Sequence, residues 1–186
     1  MSTFIAILVT LALLALLQRL LETKRGSEAA VKLIAANARP VAWNFVAMEY
    51  CYGILNRTFV VFVTDNMICA ARVRGVLPVP LSVGSRWHDP YFYPKPNQMK
   101  RYIDVNLESK EFLASSWANF QVPKQDLLSV VFGTDEKWGM GSVPYSGRIF
   151  LLTKGGMKKE LILLGTQSGK EIGERLAAGI APRLAA

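Results

Sequence analysis

Residues 59–75 read FVVFVTDNMICAARVRG, and that stretch decides the fold. Residues 58–64 (TFVVFVT) are β-branched and aromatic throughout, the composition of a strand. Residues 67–74 (MICAARVR) read as its partner. Only Asp65 and Asn66 stand between them, two residues that tolerate positive φ, so a tight antiparallel hairpin is expected.

Toward the C-terminus, residues 102–107 read as a short strand, and Ser109 as the cap of a short helix over 110–116. Residues 120–122 and 127–132 read as strands separated by Pro-Lys-Gln-Asp at 123–126. A Gly-rich loop with Trp138 and Tyr145 fills 133–146. Residues 148–153 (RIFLLT) and 159–164 (KELILL) form a second hairpin, across a turn whose Gly155-Gly156 pair supplies backbone freedom. Ser168 and Glu171 have the spacing of a capping box, and Ile172, Leu176 and Ile180 follow at helical spacing until Pro182. No repeat at a solenoid period is present.

Toward the N-terminus, residues 41–52 carry Trp43, Phe45, Tyr50 and Tyr52 and are compatible with a strand or a loop. Residues 27–39 read as an amphipathic connector helix: Ser27 caps it, Ala30, Val31, Ile34, Ala35 and Ala38 share a face, and Pro40 ends it. It either lies on a membrane surface, packs on the domain or continues the preceding segment; the packed arrangement is preferred.

That preceding segment is the strongest signal of place. Residues 2–17 (STFIAILVTLALLALL) carry no charge, and Arg19, Glu22, Lys24 and Arg25 follow at once. A bilayer core needs about 20 apolar residues. The run reaches 2–21 if Arg19 sits at the interface with its stem in lipid. The basic residues follow the apolar stretch rather than precede it, and Leu20-Leu21-Glu22 is a poor cleavage site, which favours a retained transmembrane anchor over a signal peptide. Basic flanks mark the cytoplasmic side. The expectation is therefore a single-pass protein of the inner (cytoplasmic) membrane, with its N-terminus out and residues 41–182 in the cytoplasm. There Cys51 and Cys69 should be reduced; on the other side they could pair.

Residues 75–97 differ in kind. Pro78, Pro80, Pro90, Pro94 and Pro96 exclude a regular central strand. Trp87, His88, Tyr91, Phe92 and Tyr93 give the stretch too much aromatic content for disorder. An ordered excursion over 76–98, docked on the domain, lipid or a partner, is expected.

The order of elements resembles that of bacterial membrane-anchored pleckstrin-homology-like (PH-like) domain proteins. Residues 59–75 are similar to their opening hairpin. Residues 120–130 (FQVPKQDLLSV) are similar to the entry into their next strand, and 148–164 with the capped helix to their closing hairpin and helix. The resemblance covers about residues 54–181; the stretch 76–119 is too long and too rich in Pro for a minimal domain of this kind. It implies an α+β chain: one N-terminal transmembrane helix, then a PH-like β-barrel or sandwich closed by a C-terminal helix. It also raises phosphoinositide binding. Arg72-Val73-Arg74 supplies a basic pair, but Thr64 and Asp65, at the end of the first strand, bring no positive charge, and the loop is short, so specific headgroup recognition is not expected.

Chemistry has few candidates. His88 is the single histidine, and one histidine among aromatics is usually a structural hydrogen-bonder. There is no GxSxG, P-loop, HExxH, GxGxxG or CxxC, and Gly139-Met140-Gly141 precedes no helix that would hold a phosphate. No catalytic, cofactor-binding or metal-binding residue, no cofactor and no small-molecule substrate is expected. Basic and aromatic residues are not interleaved as on a nucleic-acid platform. The net charge of +8 instead suits an anionic membrane surface. Arg19, Lys24, Arg25, Arg72, Arg74, Arg86, Lys100 and Arg101 are the lipid-surface candidates, and Lys95 adds to the diffuse attraction. The partner-interface candidates are Trp87, Tyr91, Phe92, Tyr93 and Trp138. Together these point to a non-catalytic accessory or scaffolding subunit that stabilises or assembles an integral membrane complex, for example an energy-transducing one. The alternative is a free-standing module that binds anionic lipid.

Overall fold

A computed structural model describes residues 41–52, 55–74, 77–78, 94, 96–140, 143–178 and 180, with the single positions 10, 13 and 32. Among the described residues no helix is long and apolar enough to cross a membrane. The anchor at 2–21 and the connector at 27–39 lie outside the described residues apart from Thr10, Leu13 and Lys32, which are helical. Most of the 76–98 excursion lies outside them too.

The chain is α+β. Among the described residues eight strands form one antiparallel sheet: β1 (Val41–Tyr52), β2 (Leu55–Thr64), β3 (Met67–Arg72), β4 (Leu77–Pro78), β5 (Phe120–Pro123), β6 (Leu127–Gly133), β7 (Tyr145–Thr153) and β8 (Lys158–Leu164). The stretch 41–52 is thus a strand. The path across the sheet is β5-β3-β2-β1-β8-β7-β6, with the short β4 beside the start of β2. The expected hairpin is present, with Phe62 opposite Cys69 and Val63 opposite Ile68, but neither Asp65 nor Asn66 takes the expected positive φ. Thr64 fixes its turn: the hydroxyl oxygen accepts from Met67 N–H at 2.8 Å and from Asn66 N–H at 3.2 Å.

The two ends of this path, β5 and β6, are consecutive in sequence. One 3-10 turn, Lys124–Asp126, joins them. Lys124 N–H donates to Asn66 O at 2.8 Å, and Lys154 N–H donates to Asp126 O at 2.7 Å. The turn therefore ties the β2–β3 loop to the β7–β8 loop, and the sheet curls until its outermost strands meet.

The curl encloses the main core. Phe45, Phe59, Val61, Ile68, Val122, Leu151 and Leu161 are buried in it. The C-terminal helix Gly169–Ala178 closes it with Ile172 and Leu176. Ser168 caps the helix as the sequence indicated, its hydroxyl accepting from Glu171 N–H at 3.4 Å. The helix lies close to the sheet because Phe132 of β6 rests against Gly147, Gly169 and Gly173: a Cβ at the first two would collide with its ring, and at the third with its Cβ. Just before the helix, Gln167 extends the sheet with its side chain: its amide accepts from Val46 N–H at 2.9 Å and donates to Val46 O at 2.7 Å.

The outer face is covered as well. Val60, Phe62, Cys69, Ala71 and Val73 pack beneath Met99, Tyr102, Leu107 and Phe112. Farther along, Met48, Ile162 and Leu164 pack beneath Met140 and Val143. The covering segment corrects one expectation: residues 102–107 are not a strand but a 3-10 turn (Lys100–Tyr102) followed by further turns. The N–H groups of Ile103 and Val105 bond to carbonyls three residues back, at Lys100 and Tyr102. Asn106 then breaks any extension, its side-chain oxygen accepting from Glu108 N–H at 3.0 Å. The short helix is Lys110–Ala114, capped by Ser109, whose hydroxyl accepts from Phe112 N–H.

Both cysteines are free. Cys69 lies under the outer cover, and burial, with the charge of Glu108 adding, pushes its thiol up to about 12.

Candidate binding surfaces

A loop drapes over the outer face of the β1–β8–β7 region and presents Trp138. An ion-pair cluster on the sheet fixes this loop. Lys137 reaches Glu160 at 2.5 Å, while Arg148 reaches Glu160 at 3.0 Å and Asp135 at 3.4 Å. Lys137 N–H donates to the Tyr145 hydroxyl at 2.8 Å. Burial pushes the Glu160 carboxyl upward, but its bonds to Lys137 and Arg148 together outweigh that and hold it below the ordinary range. Tyr50, beneath the Lys137 ammonium, is pushed up to about 12 by burial first and by the Glu160 charge second. Met140 and Val143 anchor the far side of the loop in the outer core. Trp138, between these fixed points, is 80% exposed.

A second surface forms where β1, β2, β3, β5 and β8 converge. Glu49 of β1 stands opposite Arg57 of β2 and takes two cations: Arg57 at 2.8 Å on one oxygen and Lys159 at 2.7 Å on the other. All three side chains are mostly withdrawn from water. The Lys159 ammonium lies 4.8 Å from the Phe120 ring centroid, and Phe120 packs edge-on against Phe59. Trp117, in the turn before β5, covers this rim with its ring centroid 5.1 Å from the Arg57 guanidinium and 5.4 Å from that of Arg72. It is nevertheless 66% exposed. Two cations thus share one carboxylate, and a third, Arg72, lies against the same exposed indole without joining it.

The residues singled out in the sequence divide between these surfaces and elsewhere. Trp138 stands out to solvent as described. Arg72 joins the rim. Arg74 is buried and engaged within the fold. Lys100 and Arg101 are exposed on the segment covering β2 and β3, Arg101 above the Tyr102 ring at 5.8 Å. Trp87, Tyr91, Phe92, Tyr93, Arg19, Lys24, Arg25 and Arg86 lie outside the described residues, as does His88. Sequence reasoning missed Glu49, Arg57, Trp117 and Lys159, because their meeting depends on pairing between strands far apart in the chain. Among the described residues no group of His, Cys, Asp and Glu could hold a metal ion.

No family model and no curated protein matches the chain. Among solved structures, it is similar to the C-terminal domain of an unknown protein from Leishmania infantum, at 8% identity and a TM-score of 0.39, over 75% of this chain and 83% of that one. A likeness at that level carries no argument about fold or activity.

Proposed function

We propose that the curled sheet and its closing helix are a PH-like barrel, and that the chain is a non-catalytic subunit holding this barrel against a protein partner at a membrane. The path that brings β5 and β6 together, and the helix seated on Phe132, support the first part. The charge contrast at residues 2–25 supports the membrane. The observation that carries the docking role is Trp138, 80% exposed on a loop pinned by Lys137, Arg148 and Glu160. Leaving a large aromatic side chain in water forfeits about 1.5–3 kcal/mol of burial. A rigid exposed indole is the kind of anchor that carries binding energy at interfaces.

The test is purification of the full chain from native membranes under mild detergent. A stoichiometric protein partner that survives a high-salt wash is expected, and Trp138→Ala should weaken its recovery about tenfold or more, as loss of an anchor worth about 1.4 kcal/mol or more would. A solitary chain that binds vesicles only when they contain anionic lipid, and lets go in salt, would overturn the docking role in favour of a lipid-surface module.

A further inference from the structure

We infer that the rim around Trp117 is a binding site for a single carboxylate carried on an apolar stretch of peptide, with Arg72 as the group that recognises the acid. The inference deepens the docking role by naming a chemistry for the partner, and it rests on that reading.

The division of charge at the rim carries it. Glu49 is saturated by Arg57 and Lys159, one on each oxygen. Arg72 has no carboxylate partner among the described residues, and its Nε is buried without a hydrogen-bond acceptor. Its backbone is nevertheless firmly held: Arg72 N–H donates to Asn119 at 2.9 Å, and the Tyr102 hydroxyl donates to Arg72 O at 2.9 Å. Arg72 is partly exposed, and its terminal amino groups, unlike the buried Nε, are left for a planar acid from outside.

The surroundings select the kind of acid. Glu49 lies within the same cluster, so a phosphate dianion or a dense row of phosphates meets repulsion as well as attraction. One carboxylate balances Arg72, the guanidinium of the rim that has no counter-ion among the described residues. Trp117 and Phe120 then offer aromatic surface to the apolar neighbours of that acid. A peptide bearing one Asp or Glu beside an aliphatic or aromatic residue meets these requirements together. A nucleic acid or a phospholipid brings phosphate charge, which the Glu49 carboxylate in the same cluster disfavours.

The experiment follows the Arg72 Nε–H and Trp117 indole N–H resonances of the full chain in detergent micelles. The probes are N-acetyl-Leu-Glu-Phe-amide, its Gln counterpart, sodium phosphate, and micelles doped with phosphatidylserine. Saturable shifts with the Glu peptide are expected, at least about tenfold weaker with the Gln peptide, which lacks the charge-assisted pair. Arg72→Gln should abolish them, Trp117→Ala should weaken them, and Trp138→Ala should leave them unchanged. Absence of shifts with the Glu peptide, equal response to the Gln peptide, or a stronger response to phosphate or phosphatidylserine would each overturn the site. Because Trp138→Ala spares this readout, failure of the rim and failure of the docking role are separately visible.

Discussion

Gly147→Ala is expected to be the most damaging small substitution in the second half of the sheet. Gly147 has φ +134°, a backbone conformation that side chains rarely adopt. A Cβ there would stand 2.5 Å from the edge of the Phe132 ring and 2.8 Å from the Gly133 carbonyl. The ring cannot retreat easily, because Gly169 and Gly173 of the C-terminal helix flank it, the latter leaving only 2.9 Å between a Cβ and the Phe132 Cβ. Backbone strain and overpacking each cost about 1–3 kcal/mol, so a loss of about 3–5 kcal/mol is expected. That is a large part of the stability of a domain this size. Urea unfolding followed by circular dichroism measures it. Gly155→Ala is the control: φ there is not positive, and the nearest atom is the Thr153 hydroxyl at 3.9 Å, so the midpoint should stay in place.

Asn119→Ala should cost about 2–4 kcal/mol by a different route. Asn119 is buried and joins the covering segment to the sheet. Its carbonyl oxygen accepts from Arg72 N–H at 2.9 Å and lies 3.0 Å from the Tyr102 hydroxyl, whose single proton is shared between it and Arg72 O. Its amide nitrogen donates to Phe112 O at 2.7 Å and to the Ser115 hydroxyl at 3.0 Å. Alanine leaves the Arg72 N–H without its acceptor and removes one donor from Phe112 O. Asn119→Asp should cost more, since a second oxygen would face the Phe112 carbonyl and a charge would be buried. The loss should concentrate in residues 96–119, so amide hydrogen exchange there should rise more than in β7 and β8. Equal protection across the chain would mean the covering segment is not a separate unit of stability.

Local signals made much of the fold legible. The β2–β3 turn announced itself through Asp65-Asn66, the break between β5 and β6 through Pro123, and the last helix through Ser168 and Glu171. Residues 102–107 misled because Ile103 and Val105 have strand composition. Their apolar side chains pack on the back of β2 and β3, while Asn106 turns the chain. That cover also had a trace in the sequence: an uninterrupted apolar run at 59–63 is what a strand buried on both faces requires. The glycines around Phe132 left no comparable trace, since they meet only after β6, β7 and the helix assemble. The rim was hidden for the same reason. Glu49 and Lys159 are 110 positions apart, and nothing beside either residue reports the other.

The central claim is that this domain lies against a protein through the Trp138 loop. A photoreactive phenylalanine analogue in place of Trp138, crosslinked in intact cells, tests it most directly. The same analogue at Lys154, exposed in the β7–β8 turn, serves as the comparison. The account predicts a discrete protein adduct from position 138 that is absent from position 154. Lipid adducts alone from position 138, or the same adducts from both positions, would contradict it.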